Sequence, residues 1–210
     1  TSASPSPATV SPAIRVASAP RAAVTKSASA APAAGRGTGT GVKAGGFGAA
    51  QVRYANWGGF EVENSFGLQG RIDRLDPVGL HATSARQTVN TVREDRVTQR
   101  SLGVWAQNET RWTDWFRSVQ GIRADAYDFT VDSNLQANSG KADDHMVTPK
   151  LALIFGPWKK TELYLNYGQG FHSNDARGTT ISVDPVSGTP LDRVKPLVRT
   201  RGYELGARSE

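Results

Sequence analysis

The chain has no cysteine in its 210 residues, which removes disulfides, cysteine-ligated zinc and thiol nucleophiles from its chemistry. It has three histidines, at 81, 145 and 172, and none stands in a His-x-x-x-His or Glu-bearing zinc spacing. The single methionine is Met146, so the chain reads as a piece of something longer or as a processed product. Thr1 to Pro12 show neither the charged start nor the apolar core of a signal peptide. No run approaches the roughly 18 apolar residues of a membrane helix, and no Gly-x-Ser-x-Gly elbow is present. With no constellation of nucleophile, base and oxyanion donors, the sequence is not read as an enzyme, nor as carrying a cofactor or a metal.

Charge is unevenly placed. The net charge is +6 and the isoelectric point is near 9.8. Five basic residues, Arg15, Arg21, Lys26, Arg36 and Lys43, lie in residues 1–50 without a single Asp or Glu. That leaves 20 of the 25 basic residues against all 19 acidic ones in 51–210. The basic residues of the first segment are spaced singly, without the clusters or interleaved aromatics of a nucleic-acid groove, so no nucleic-acid partner is expected.

Residues 1–50 are mostly Ala, Ser, Pro, Thr and Gly, with Phe47 their only aromatic. Such a composition buries too little apolar surface to offset the entropy of ordering, and disorder is expected. Gly35 to Lys43 is not a P-loop, because Val42 separates Gly41 from Lys43 and no helical pattern follows; it reads as a flexible linker. The expected organisation is a low-complexity segment, 1–50, and a folded region, 51–210.

All five Trp and all five Tyr lie beyond residue 50, and there the hydrophobic period becomes two. Phe60, Val62, Phe66, Leu68 and Ile72 alternate with Glu61, Glu63, Ser65, Gln69 and Arg71, which gives a strand one apolar and one polar face. Thr161 to Gly168 repeats the design. Further strands are expected over Leu102 to Trp112, Phe116 to Phe129, Val147 to Phe155 and Val198 to Ala207, with a short seventh at Gln51 to Ala55. The connections alternate. Asn56 to Gly59, Thr113-Asp114 and Gly156 to Lys160 are short; Asp73 to Thr91, Thr130 to Met146 and His172 to Leu197 are long. Outer-membrane barrels have this asymmetry of short periplasmic turns and long outer loops, and strands of about 9 to 14 residues suit a bilayer crossing of roughly 9–11 tilted residues. Trp57, Trp112, Trp115 and Trp158 all fall at the short turns, where indoles would form a membrane-interface girdle. The competing reading is that they seal the end of a soluble core.

Val104 to Trp112 with Trp115 to Asp125, Tyr164 to Gly178 (containing Gly170-Phe171-His172-Ser173-Asn174-Asp175-Ala176-Arg177), and Arg201 to Arg208 resemble barrel strands of TonB-dependent receptors. The resemblance covers roughly residues 60–210. It implies an outer-membrane receptor that imports a scarce ligand such as a ferric siderophore, cobalamin or a sugar, energised by an inner-membrane complex through a TonB-type protein in the full-length molecule. It also implies a plug ahead of the barrel and a box that binds the energising protein, and residues 1–50 look like neither. Such barrels have about 22 strands, more than six or seven can supply.

The expected fold is therefore all-β: antiparallel up-and-down strands of a partial transmembrane β-barrel. The expected partners are the lipid bilayer of the outer membrane and a small-molecule ligand of the iron-chelate kind. A porin-like channel and a soluble extracellular β-sandwich are the alternatives; the sandwich would need the apolar faces to pack together. His172, Asn174, Asp175 and Arg177, entering a long outer loop, are the candidate ligand-facing residues. The bland reading is that they cap the strand and solvate the loop. Glu61, Glu63, Gln69, Arg71, Glu162 and Glu204 are expected to face the lumen, as are Asp125, Asp128 and Asp132. Asp143-Asp144-His145 is expected in a solvated loop.

Overall fold

The alternation that begins at Phe60 is carried by one strand of a seven-stranded sheet. The computed structural model describes residues 41–209. The strands are β1 (Gly41–Trp57), β2 (Phe60–Ser84), β3 (Gln87–Thr113), β4 (Phe116–Ser133), β5 (Gly140–Trp158), β6 (Thr161–Ser173) and β7 (Leu197–Ser209). They pair in chain order, each antiparallel to the next. A 3-10 turn at Gln136–Asn138 and the short helix α1 (Ala176–Thr180) lie in the connections at one end.

Register puts like with like. Phe66 stands opposite Ala106 and Ala106 opposite Ile122; Leu68 faces Val104; Leu165 lies between Leu153 and Leu205. This apolar face is open, with Leu68 at 41%, Val104 at 51% and Leu165 at 46% exposure. From Trp112 to Leu102 it runs ten steps along β3, about 34 Å at ~3.4 Å per residue. With a tilt of about 40° that is close to the roughly 25 Å lipid-facing band of an outer-membrane barrel. Among the described residues there is one sheet and no second layer, so the β-sandwich alternative fails: nothing packs on the apolar face.

The opposite face carries Glu61, Glu63, Gln69, Arg71, Glu162 and Glu204, as expected. It also holds two apolar islands. One is Val119, Ala152 and Ile154 with Tyr164, near the short turns. The other is Val97, Phe129, Val131 and Ala176, with Leu75, Tyr127 and Ala142 against it, near the other end.

Several boundaries differ from those expected. Gly41–Ala50 is strand, paired with β2 from Gly67 to Asp76. Its small residues form a ladder because the backbone of β2 supplies the partners, which composition does not register. The expected disorder of residues 1–40 lies outside the described residues. Asp73 to Thr91 is not a loop: β2 and β3 continue to a two-residue turn at Ala85-Arg86, with register shifts after Leu75, Leu80 and Ala82. The reason is solvation. Residues 79–84 and 87–91 meet water on both faces, and the face that β3 buries below them uses the charged pair Arg93 and Asp95, so the hydrophobic period-two signal ends while the hydrogen bonding does not. Likewise β4 runs to Ser133 and β5 starts at Gly140, leaving residues 134–139 as the connection. Asp143, Asp144 and His145 sit within β5, where alternation sends Asp144 to the opposite face from its neighbours. Asp125 does face inward, but Asp128 and Asp132 share the outer-face parity of Ile122.

Candidate functional site

The polar face is organised by Arg-x-Asp pairs. Two positions apart on a strand is the same face, and Arg71–Asp73, Arg93–Asp95 and Arg123–Asp125 close at 2.8, 2.7 and 2.6 Å. A Cβ on Gly103, which stands opposite Asp125, would fall onto the Arg123 and Asp125 side chains, so glycine there makes room for that pair. Nearer the short turns, Arg117 reaches Glu162 at 3.1 Å and Glu109 at 3.7 Å, and Arg208 reaches Glu162 at 3.6 Å. Cross-strand opposite charges of this kind keep the face polar without isolated ions.

The long β6–β7 connection folds onto this face. Asn174 closes its neck: its backbone N–H donates to Pro196 O at 2.8 Å and its side-chain amide to Lys195 O at 2.7 Å. Asp175 is the N-cap of α1, accepting the Arg177 N–H at 2.9 Å and pairing with the Arg177 guanidinium at 2.5 Å. α1 then buries Ala176, Thr179 and Thr180, with Ala176 in the island of Val97, Phe129 and Val131. Burial alone would raise the Asp175 pKa. The hydrogen bonds from the Arg177 side chain and backbone, and its charge, outweigh burial and hold the carboxyl below its ordinary value. Farther along, the Ser187 and Val186 amides hold the Asp184 carboxyl low as well.

A latch joins this connection to the neighbouring one. Asn138 is wholly buried. Its side-chain amide donates to Val183 O and its oxygen accepts the N–H groups of Ser182 and Val183, while Thr180 Oγ1 donates to Asn138 O. The wall also parts here. The β5–β6 ladder stops at Lys150 and Gly168, beside Pro149, which has no N–H to give. Beyond it, Leu197 N donates to Asp144 Oδ2 at 3.2 Å and Arg199 donates to Val147 O at 2.8 Å.

The four candidate ligand-facing residues are thus neighbours with different duties. Asn174, Asp175 and Arg177 are engaged in holding the connection. His172, next to the last residue of β6, stands opposite Val198 with an exposed side chain and no hydrogen-bond partner among the described residues. Arg93, Asp95 and Asn138 were not singled out from the sequence. The Arg-x-Asp spacing would have found the first two; Asn138 bonds across more than forty residues and leaves no local signal. Among the described residues no group of three or more His, Asp or Glu is placed to hold a metal.

The opposite end carries the indoles. Trp57, Trp112, Trp115 and Trp158 all lie at the three tight turns, 41–60% exposed. Trp115 stacks on Trp158 at 6.3 Å, Phe60 lies 5.2 Å from Trp112, and Phe116 stacks on Phe155 at 5.0 Å. Trp112 Nε1 donates to Ser118 Oγ at 2.7 Å.

Residues 16–209 match the family model described as TonB dependent receptor-like, beta-barrel. The chain belongs to the TonB-dependent receptor β-barrel family. This decides for a receptor wall over a porin-like channel; the family is one of outer-membrane receptors and transporters rather than enzymes. The ferric yersiniabactin uptake receptor FyuA of Yersinia pestis has a similar fold, with a TM-score of 0.50 and 16% identity over 80% of this chain. The match spans 27% of the FyuA chain, so this TonB-dependent receptor segment spans about a quarter of that receptor's length. No curated protein matches the sequence.

Proposed function

We propose that this chain is a wall segment of an outer-membrane receptor for energised uptake of a scarce small molecule, of the ferric-siderophore class. The observation that carries the reading is the β6–β7 connection folded onto the polar face with its paired charges; in a closed barrel it would narrow the entrance of the lumen. In this reading the tight turns are periplasmic, the four indoles lie at the membrane interface, and the apolar face meets lipid. His172, Asn174, Asp175 and Arg177 stand at the mouth, with His172 offering the free side chain. A TonB-type partner acts on the full-length receptor.

The test is uptake under iron limitation by cells producing the full receptor. Radiolabelled ferric siderophores of catecholate, hydroxamate and mixed phenolate types are offered in turn. Uptake of one of them that requires the energising complex, and that falls when residues 176–194 are deleted, supports the reading. Uptake of none, with the receptor present in the outer membrane, overturns the ligand class.

A further inference from the structure

The lipid-facing side is not uniformly apolar. Register places Arg53, Asn64, Asn108 and Gln120 in one row across β1 to β4, each directly opposite the next. The next row toward the middle of the apolar band holds Phe66, Ala106 and Ile122. Ala106 is small between two large neighbours, and a shallow trough of about 380 Å³ runs over it, lined by Asn64, Phe66, Asn108, Gln120 and Ile122 among others.

The polar row is only partly satisfied from within. Asn108 Nδ2 donates to Asn64 Oδ1 at 2.9 Å, Thr110 Oγ1 donates to Asn108 Oδ1 at 2.8 Å, and Gln120 Nε2 donates to Ser118 Oγ at 2.7 Å. The Asn64 amide nitrogen and the Gln120 amide oxygen have no protein partner among the described residues. Arg53 is exposed, lies over the Phe66 ring at 5.9 Å, and makes no ion pair among the described residues. An arginine on the lipid side of a barrel is costly unless something answers its charge.

We propose that this trough binds one glycerophospholipid of the periplasmic leaflet. The inference rests on the membrane reading above. The two rows match an amphiphile with its head toward the turns: the row nearer the turns offers the guanidinium for the phosphate and, beside it, free amide groups for the glycerol ester region, and the next row offers Phe66, Ala106 and Ile122 for an acyl chain. The trough is continuous with the apolar band, so the chain passes into lipid without leaving the wall. Charge selects the headgroup region, because Arg53 is the cation of the row and no carboxylate shares it.

The experiment uses the full receptor extracted from outer membranes, exchanged into mild detergent and weighed by native mass spectrometry, with phosphatidylglycerol added back after delipidation. The wild type is expected to retain one phospholipid, unaffected by excess inorganic phosphate. Arg53→Gln and Ala106→Trp should each reduce retention by about fivefold or more, the loss expected for one charge-assisted contact or a filled trough. Leu205→Trp, on the same face but away from the trough, should not. Heat-modifiable gel migration shows that each variant has a formed barrel. An inserted wild type that retains no phospholipid, equal retention in the variants, displacement by phosphate alone, or a second protein copy in place of the lipid would each overturn this inference. Failure of the wild type to insert would instead overturn the membrane reading itself.

Discussion

Asn138 and Val183 hold each other like two paired peptide groups: the Asn138 amide donates to Val183 O at 3.0 Å while its oxygen accepts Val183 N–H at 3.0 Å. Because Asn138 is wholly buried, water cannot take over when the pair is broken.

Asn138→Ala should therefore free the β6–β7 connection without unfolding the wall. The local loss is expected at about 2–4 kcal/mol, from three side-chain hydrogen bonds of roughly 1 kcal/mol each plus stranded backbone groups. Hydrogen exchange should accelerate at residues 176–184 and stay unchanged in β3 and β4. Equal protection in the variant and wild type would show that the latch holds nothing.

The Asp175–Arg177 pair predicts a loosening at acid pH. The Asp175 pKa is lowered in the folded state, so its contribution is fully present above the unfolded value of about 3.9 and is lost as pH falls through the lower folded value. The Asp175 side chain is 55% exposed, so screening leaves a small effect, about 0.2–1 kcal/mol. Exchange of the α1 amides measured from neutral pH down to about 3, after correction for intrinsic rates, should show this step. Asp175→Asn should remove it.

Leu165 and Asn166 are neighbours on opposite faces of β6. Leu165→Arg should destabilise the folded barrel in lipid vesicles by about 2–4 kcal/mol near the midplane. Asn166→Arg should cost much less, because Asn166 already donates to Glu204 at 3.1 Å and an arginine finds that carboxylate. Similar urea midpoints for the two variants would reverse the assignment of faces.

The turn between β5 and β6 places Lys159 at φ 48° and Lys160 at φ 66°, the left-handed region that β-carbons disfavour. The corresponding turn between β1 and β2 uses Gly58 and Gly59 at φ 60° and 92°. Lys159→Asn with Lys160→Gly should raise stability by about 1 kcal/mol, since Asn-Gly suits a two-residue hairpin turn. Vesicle unfolding curves would show it as a higher midpoint with an unchanged slope.

The parts of the fold legible in the sequence are those where lipid and lumen impose opposite demands on alternate residues. Phe60 to Ile72 and Thr161 to Gly168 show their faces plainly for that reason. Residues 79–84 and 87–91 do not, because both their faces meet water; farther down β3 the face that is buried uses the charged pair Arg93 and Asp95, so its alternation does not read as hydrophobic. Gly41 to Ala50 is hidden by its small side chains, whose strand is set by the β2 backbone. Where β6 passes into the β6–β7 connection, His172 to Arg177 are recognisable as a polar cluster. Their division into cap, neck and free ring depends on Pro196, Lys195 and α1, which the local sequence does not bring together.

The β2–β3 hairpin has one further consequence. Its strands have 25 and 27 residues, while roughly 9–11 suffice to cross a bilayer. In the proposed orientation the surplus stands outside the cell as a paired ribbon rather than a slack loop, so its reach is set by hydrogen bonding. Antibodies, phages and neighbouring cells would meet this mast before the receptor's entrance, and changes at Ala85 and Arg86 would alter what they encounter without touching the passage below.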